Sequence, residues 1–362
     1  MVSKALAPVA LGAAVGALAI GVASVTPASA MSHGEMLELN IITSNSASCG
    51  NYPQFIAPML GITELNGIGE WNLLNSETTI PFVAFLDTND AEFVMLDSAQ
   101  VLQMADKKQP HSVVYEVYTF ATEGIVVPAD SPIKGLADLR DVTIGLASDR
   151  DQITTMITMD SIGETVESRN IKTVVVGDSG PVMANALSSG QIDAFAGGSS
   201  DRGNIIAAGV QIRNITPPEV SANPANNWAM ANARMEEGFA EKFLRAWAMA
   251  QQTGPIDTKA VQSACRIAAP EQWEKPEVGA QIVYDQVYTY QVLRGKLRGE
   301  LRPWVWEGIQ GPYVKAGEIS EFIPAERFLD DRFLEEANNW TTKEVVDIIN
   351  KWKQENPDAL NW

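Results

Sequence analysis

The chain has 362 residues, with 45 Asp and Glu against 26 Lys and Arg, for a formal net charge of −19. Phosphate binding needs a basic face, so this balance excludes nucleic acid as a partner and disfavours anionic membrane surfaces. Histidine occurs twice, as His33 and His111, which removes most hydrolytic and metal chemistry because both lean on imidazole.

Residues 1–30 read as an export leader. Lys4 precedes an Ala/Gly/Val/Leu run through Val25, and Pro27 leads to the small triplet Ala28-Ser29-Ala30, where a peptidase would cut. Cleavage after Ala30 is expected; the alternative is a retained N-terminal anchor. No Leu-x-x-Cys arrangement for a lipid anchor stands there. Beyond the leader no apolar stretch is long enough to cross a bilayer, so the mature chain is expected to be periplasmic without membrane insertion. It keeps 25 Lys and Arg against 45 Asp and Glu, a charge of −20. Its 332 residues exceed one ordinary core and point to two lobes.

In chain order, Leu37–Thr43 is strand-like and ends in the polar loop Ser44-Asn45-Ser46-Ala47-Ser48. A helix follows over Tyr52–Leu60, then a strand near Trp71–Leu74, a helix near Ile80–Leu86 and the strand Glu92–Leu96. After Asp97-Ser98 the pattern is helical through Ala105, and Ser112–Tyr118 alternates as a strand. A second cycle begins at Gly124–Pro128. Its strands are Val142–Leu146, Lys172–Val176 and Ile192–Ala196; its helices are Gln152–Met159, Pro181–Ser188 and Arg202–Ala208. Thr216–Pro224 reads as a crossing linker into Trp228-Ala229-Met230-Ala231. From Glu236 the chain is mainly helical, with Phe239, Phe243, Leu244, Trp247 and Met249 at core spacings. Strands alternating with helices of this length predict an α/β fold with parallel or mixed sheets. Cys49 and Cys265 either pair across a long loop or are separate buried apolar residues.

Three stretches resemble the type II periplasmic solute-binding proteins of ABC importers, in the cluster that serves alkanesulfonates, nitrate, taurine and thiamine-pyrimidine precursors. Gly124-Ile125-Val126-Val127-Pro128 and Asp130-Ser131-Pro132-Ile133-Lys134-Gly135-Leu136-Ala137-Asp138-Leu139-Arg140 are similar to the family's crossover strand and the start of its second lobe. Asp141-Val142 stands where the family carries Gly-Lys. Ala186-Leu187-Ser188-Ser189-Gly190-Gln191-Ile192-Asp193-Ala194 matches its helix-turn-strand signature, and Phe328–Ala337 resembles its closing helix. Gly190 suits a helix C′ position and Asp193 can accept from backbone donors at the turn; both are architectural.

The resemblance implies a two-lobed type II periplasmic-binding-protein fold with two crossover hinge strands and a mainly helical C-terminal part. The divisions are residues 1–30 for the leader, 31–123 for the first lobe, 124–222 for the second, and 223–362 for the return and C-terminal helices. It also implies a monomer without cofactor or metal that captures a small organic solute and hands it to an ABC-type permease. Two alternatives share the scaffold: an enzyme like the thiamine-pyrimidine synthases or menaquinone-pathway enzymes, and a ligand-binding subunit of a sensory receptor.

In open α/β sheets, ligands sit beyond the carboxyl ends of strands, where helix N-termini present free amides. That rule selects Ser44, Asn45, Ser46 and Ser48; Asp97 and Ser98; Ser148 and Asp149; Ser199, Ser200 and Asp201; and Asn227 and Trp228. Each Ser, Asp or Asn is equally placed to cap a helix. Trp228 stacks on a planar ligand or fills space between lobes. Arg150 and Arg202 clamp a carboxylate or sulfonate, or are solvated; Asp97, Asp149, Asp201 and Glu123 favour an amine. Ligand charge stays open on these residues.

Overall fold

The structure is a computed structural model describing residues 36–361 apart from 45, 47, 77–79, 122, 149, 150, 178 and 219. The leader, its cleavage point, Asn45, Asp149 and Arg150 therefore lie outside the described residues, as does the side chain of Ser200. Ten strands form two five-stranded sheets: β1 Leu37–Ile42, β2 Ile68–Leu73, β3 Phe93–Leu96, β4 His111–Glu116, β5 Gly124–Pro128, β6 Thr143–Leu146, β7 Lys172–Val175, β8 Ala194–Gly197, β9 Ile212–Asn214 and β10 Asn227–Ala231. The first sheet runs β2-β1-β3-β10-β4 and the second β7-β6-β8-β5-β9. Within each, four strands run in one direction and a single strand, β10 or β5, pairs antiparallel with both its neighbours.

This is the two-lobed α/β architecture expected, with helices covering the sheets and many more in the C-terminal part. Strand alternation explains the second sheet. Ile125 and Val127 face one core with Ile144, Leu146, Ala194 and Ala196, while Val126 and Phe195 face another with Met183, Leu187 and Ile205. On the first sheet lies a larger core, capped by the helix Ala240–Ile256, whose Phe243, Leu244 and Trp247 are fully buried. Gly190 takes φ +70°, and Asp193 Oδ2 accepts from Thr143 N at 2.8 Å, so both do structural work at the turn.

Two departures have local causes. Three-residue β9 has no legible periodicity; it forms because β5 offers an edge, with Val126, Val127 and Pro128 opposite Asn214, Arg213 and Ile212. The helix after β8 begins at Ser199, three residues before the expected start, because Asp201 Oδ2 accepts from Gly198 N at 2.8 Å and fixes its first turn. The lobes are joined by segments 117–123 and 215–226, held side by side: Val117 N and Tyr118 N donate to Asn226 O at 2.8 and 3.1 Å, and Ala121 N to Ser221 O at 2.7 Å. Thr119 N donates to Tyr290 O at 2.9 Å, so the C-terminal part is docked on the crossing too. Among the described residues no helix is long and apolar enough to cross a membrane.

Candidate functional site

The loop after β1 turns into a short helix, Cys49–Asn51, capped by Ser48, whose Oγ accepts from Gly50 N at 3.0 Å and from Gln272 Nε2 at 2.8 Å. Ser44 Oγ accepts from Asn51 Nδ2 and from Asn226 Nδ2, both at 3.0 Å. Ser46 turns away, toward Ser76, its N lying 2.9 Å from Ser76 Oγ. The Tyr118 hydroxyl, at the start of the crossing, is 2.8 Å from Gly50 O and 2.7 Å from Asn51 Oδ1, and burial pushes its ionisation well above the usual tyrosine range. Cys49 is disulfide-bonded to Cys265, which settles the cysteine alternative and anchors this loop to the helix Thr258–Ala268.

The second lobe reaches the same place through the helix Ser199–Ala207. Arg202 Nη2 donates to the Tyr290 hydroxyl at 2.6 Å, and Gln286 Nε2 lies 3.5 Å from Ser199 Oγ. Gln286 and Tyr290 bound a single turn of π-helix, Gln286–Tyr290, a form that recurs at functional sites. Burial raises the Tyr290 hydroxyl's ionisation, against the opposing pull of the Arg202 guanidinium. Gln291 Nε2 closes the circuit by donating to Gly50 O at 3.0 Å. One polar network thus runs from Ser44, Asn51, Tyr118 and Asn226 through Gln291 and Gln286 to Ser199 and Arg202, spanning both lobes at the crossing.

The remaining expected residues divide. Ser98 Oγ hydrogen-bonds Pro224 O, two residues from Asn226, so the loop after β3 abuts the network. Asp97 caps its helix in a capping box with Gln100, whose N it receives at 2.8 Å. Ser148 is bound through N and Oγ to Asp151 Oδ2, at 2.8 and 3.0 Å, within its own turn. Asn227 and Trp228 are corrections. Central strand β10 is covered on both faces, so Asn227 is fully buried with Nδ2 donating to Leu96 O at 3.2 Å. Trp228 is 0% exposed, edge-on to Phe243 and Trp247 at 5.0 and 4.8 Å beneath the helix Ala240–Ile256. It is core, with no face toward a ligand.

The strand-end rule did not reach Tyr118, Gln286, Tyr290 or Gln291. The first precedes the crossing, and the others arrive by long-range packing; the one local signal is the amide- and tyrosine-rich run Tyr284–Gln291 inside a helical stretch.

This arrangement, two sheets hinged at a double crossing with polar loops meeting between them, is the periplasmic-binding-protein fold. Residues 75–253 match the model of the family described as NMT1/THI5 like, which bears out the recognition drawn from the motifs. The chain is similar to the solved alkanesulfonate-binding protein SsuA from Xanthomonas axonopodis pv. citri bound to MOPS, at 12% identity and TM-score 0.61, over 81% of this chain and 98% of that one. It is also similar to the periplasmic aliphatic sulphonate binding protein SsuA from Escherichia coli, at 12% identity and TM-score 0.60, over 80% and 91% of the two chains. A third similar structure is the desulfurization enzyme DSZB, at 15% identity and TM-score 0.53, over 83% and 99%. No curated protein sequence matches the chain.

Proposed function

We propose that the protein is an exported solute-binding protein, cleaved after Ala30, that closes its lobes over one small organic molecule and delivers it as a monomer to an ABC-type permease. On this reading residues 31–123 and 223–362 form one lobe and residues 124–222 the other. The observation that carries it is the network at the crossing, where Arg202 and Ser199 from one lobe meet Tyr290 and Gln286 beside Ser44, Asn51 and Asn226 from the other. Amides, hydroxyls and a guanidinium recognise a guest without altering it. The described histidine, His111, starts β4 at the end away from the crossing and binds Asp87 at 2.7 Å, which places imidazole chemistry roughly 17 Å along the strand from the network.

The guest is an organic anion. Arg202 Nη1 is buried without a hydrogen-bond partner while Nη2 is held by Tyr290, and a carboxylate or sulfonate oxygen would satisfy it. Both SsuA proteins are named for sulfonates. Asp285 and Glu123 also act on Tyr290, so aminopyrimidines are the competing class. A thermal-shift screen of alkanesulfonates, carboxylates, aminopyrimidines and polyamines decides between them, since a ligand at a hundred times its Kd adds about 2.7 kcal/mol of apparent stability. An anion is expected to raise Tm; a response confined to cations would overturn the assignment.

A further inference from the structure

Beside the crossing, at the outer edge of β4, lies a cavity of about 410 Å³ bordered by Glu116, Val117, Thr119, Ala222 and the segment 291–305, with no residue of the second sheet in its wall. It shares Gln291 with the network described above and none of Ser44, Asn226 or Arg202. Val292, Leu293, Leu297 and Val305 make its sides apolar, and Trp304, 67% exposed, stands on its border. A partly enclosed space of this size with apolar walls and a few convergent polar groups has the form of a ligand site.

Charge decides the class of ligand. Arg294, Arg298 and Arg302 all border the cavity. The buried carboxylate among them, Glu116, is already engaged by Arg302 N at 3.0 Å, Arg302 Nε at 2.7 Å and Trp306 Nε1 at 2.9 Å. Glu300, half-buried, accepts from Lys296 N at 3.0 Å. Arg298, 6% exposed, has neutral acceptors: Gln252 Oε1 at 2.9 Å and Gln291 O at 3.3 Å. Arg302, also 6% exposed, keeps Nη2 buried with no partner. Arg294 lies over the Phe120 ring at 3.5 Å, and burial together with the Arg302 charge lowers its pKa. Neither Arg294 nor Arg298 has an acidic partner among the described residues. Arg298, a buried guanidinium with neutral acceptors alone, is unfavourable until an anion joins it. The spare Nη2 of Arg302, whose charge Glu116 already meets, and exposed Arg294 stand on the border of the same cavity.

We propose that this cavity is a second ligand site, independent of the cleft, for a small amphipathic monoanion: an alkyl or aryl carboxylate or sulfonate. Its charged end sits among the three guanidiniums and its apolar body lies along Val292 and Leu297. Sodium octanoate is the probe, titrated by calorimetry into the full mature chain carrying Arg202→Gln, so that binding at Arg202 in the cleft is weakened. Octanoate is expected to bind, octylammonium to give no heat of binding, and either Leu297→Trp, which fills the cavity, or Arg294→Gln, at an exposed position, to weaken octanoate about tenfold or more, equivalent to about 1.4 kcal/mol. Thermal melts establish that each variant is folded. No octanoate binding in the Arg202→Gln protein, octylammonium binding as well as octanoate, or undiminished affinity in both folded second variants would overturn the proposal.

Discussion

A guanidinium recognises an anion best when it is held in place with donors to spare. Arg202 meets that condition: Tyr290 fixes one nitrogen at 2.6 Å and the other stays buried and unmatched. Arg202→Gln is therefore expected to lower affinity for the proposed anionic guest about tenfold or more while leaving Tm of the free protein within a few degrees. Trp228 is the opposite case. It is packed among Phe93, Phe243 and Trp247, so Trp228→Ala is expected to destabilise the fold by about 3–5 kcal/mol, read as a lower urea midpoint at unchanged slope. A midpoint equal to wild type would take Trp228 out of the core. The sequence carried Ser44, Ser48 and Ser199 as strand-end residues, but it left open whether each hydroxyl caps or contacts a guest; Ser48 both caps and binds Gln272. Trp228 was misleading because strand position alone does not say which face of a central strand is covered.

At the scale of elements, helix ends are fixed by local bonds and helix partners are not. The last long helix, Thr342–Glu355, shows why: Thr341 and Glu344 form a capping box, with Glu344 N to Thr341 Oγ1 at 3.2 Å and Thr341 N to Glu344 Oε2 at 2.6 Å. Those bonds from Thr341 hold the Glu344 carboxyl below the usual glutamate range. Because the folded pKa is depressed, this contribution is full above the unfolded value and is lost as pH falls through the folded one. Thr341→Ala should cost about 1 kcal/mol near neutral pH, and part of that difference should vanish in acid. Equal differences at both pH values, from paired denaturant melts, would contradict the capping account. By contrast the turn Gln286–Tyr290 was seen only as part of a helical stretch. Its place beside Gly50 depends on packing of residues more than two hundred positions apart, which no local period encodes.

At the scale of the molecule, the motifs around Gly124–Arg140 and Ala186–Ala194 made the two-lobed fold readable, because strand-helix alternation is a local property. The disulfide was legible only as one of two alternatives, since its cysteines stand 216 positions apart. Closing so long a loop is worth about 5 kcal/mol on the chain-entropy model. Reduction, or Cys265→Ser, should lower Tm by several degrees and weaken guest binding, because Cys49 adjoins Ser48 and Gly50; an unchanged Tm in reductant would argue against the bridge. Lys315 Nζ to Asp160 Oδ1 at 2.8 Å and Arg202 to Tyr290 are contacts across the lobes, and the proposed closure would bring these surfaces together.

The most direct measurement is calorimetric titration of the strongest hit from the ligand screen, with the released ligand then analysed by mass spectrometry. Capture at the crossing predicts a binding step, separate from any at the cavity beside β4, whose affinity falls in Arg202→Gln, with the ligand recovered chemically unchanged. A ligand returned as product, or bound equally well without that guanidinium, would contradict it.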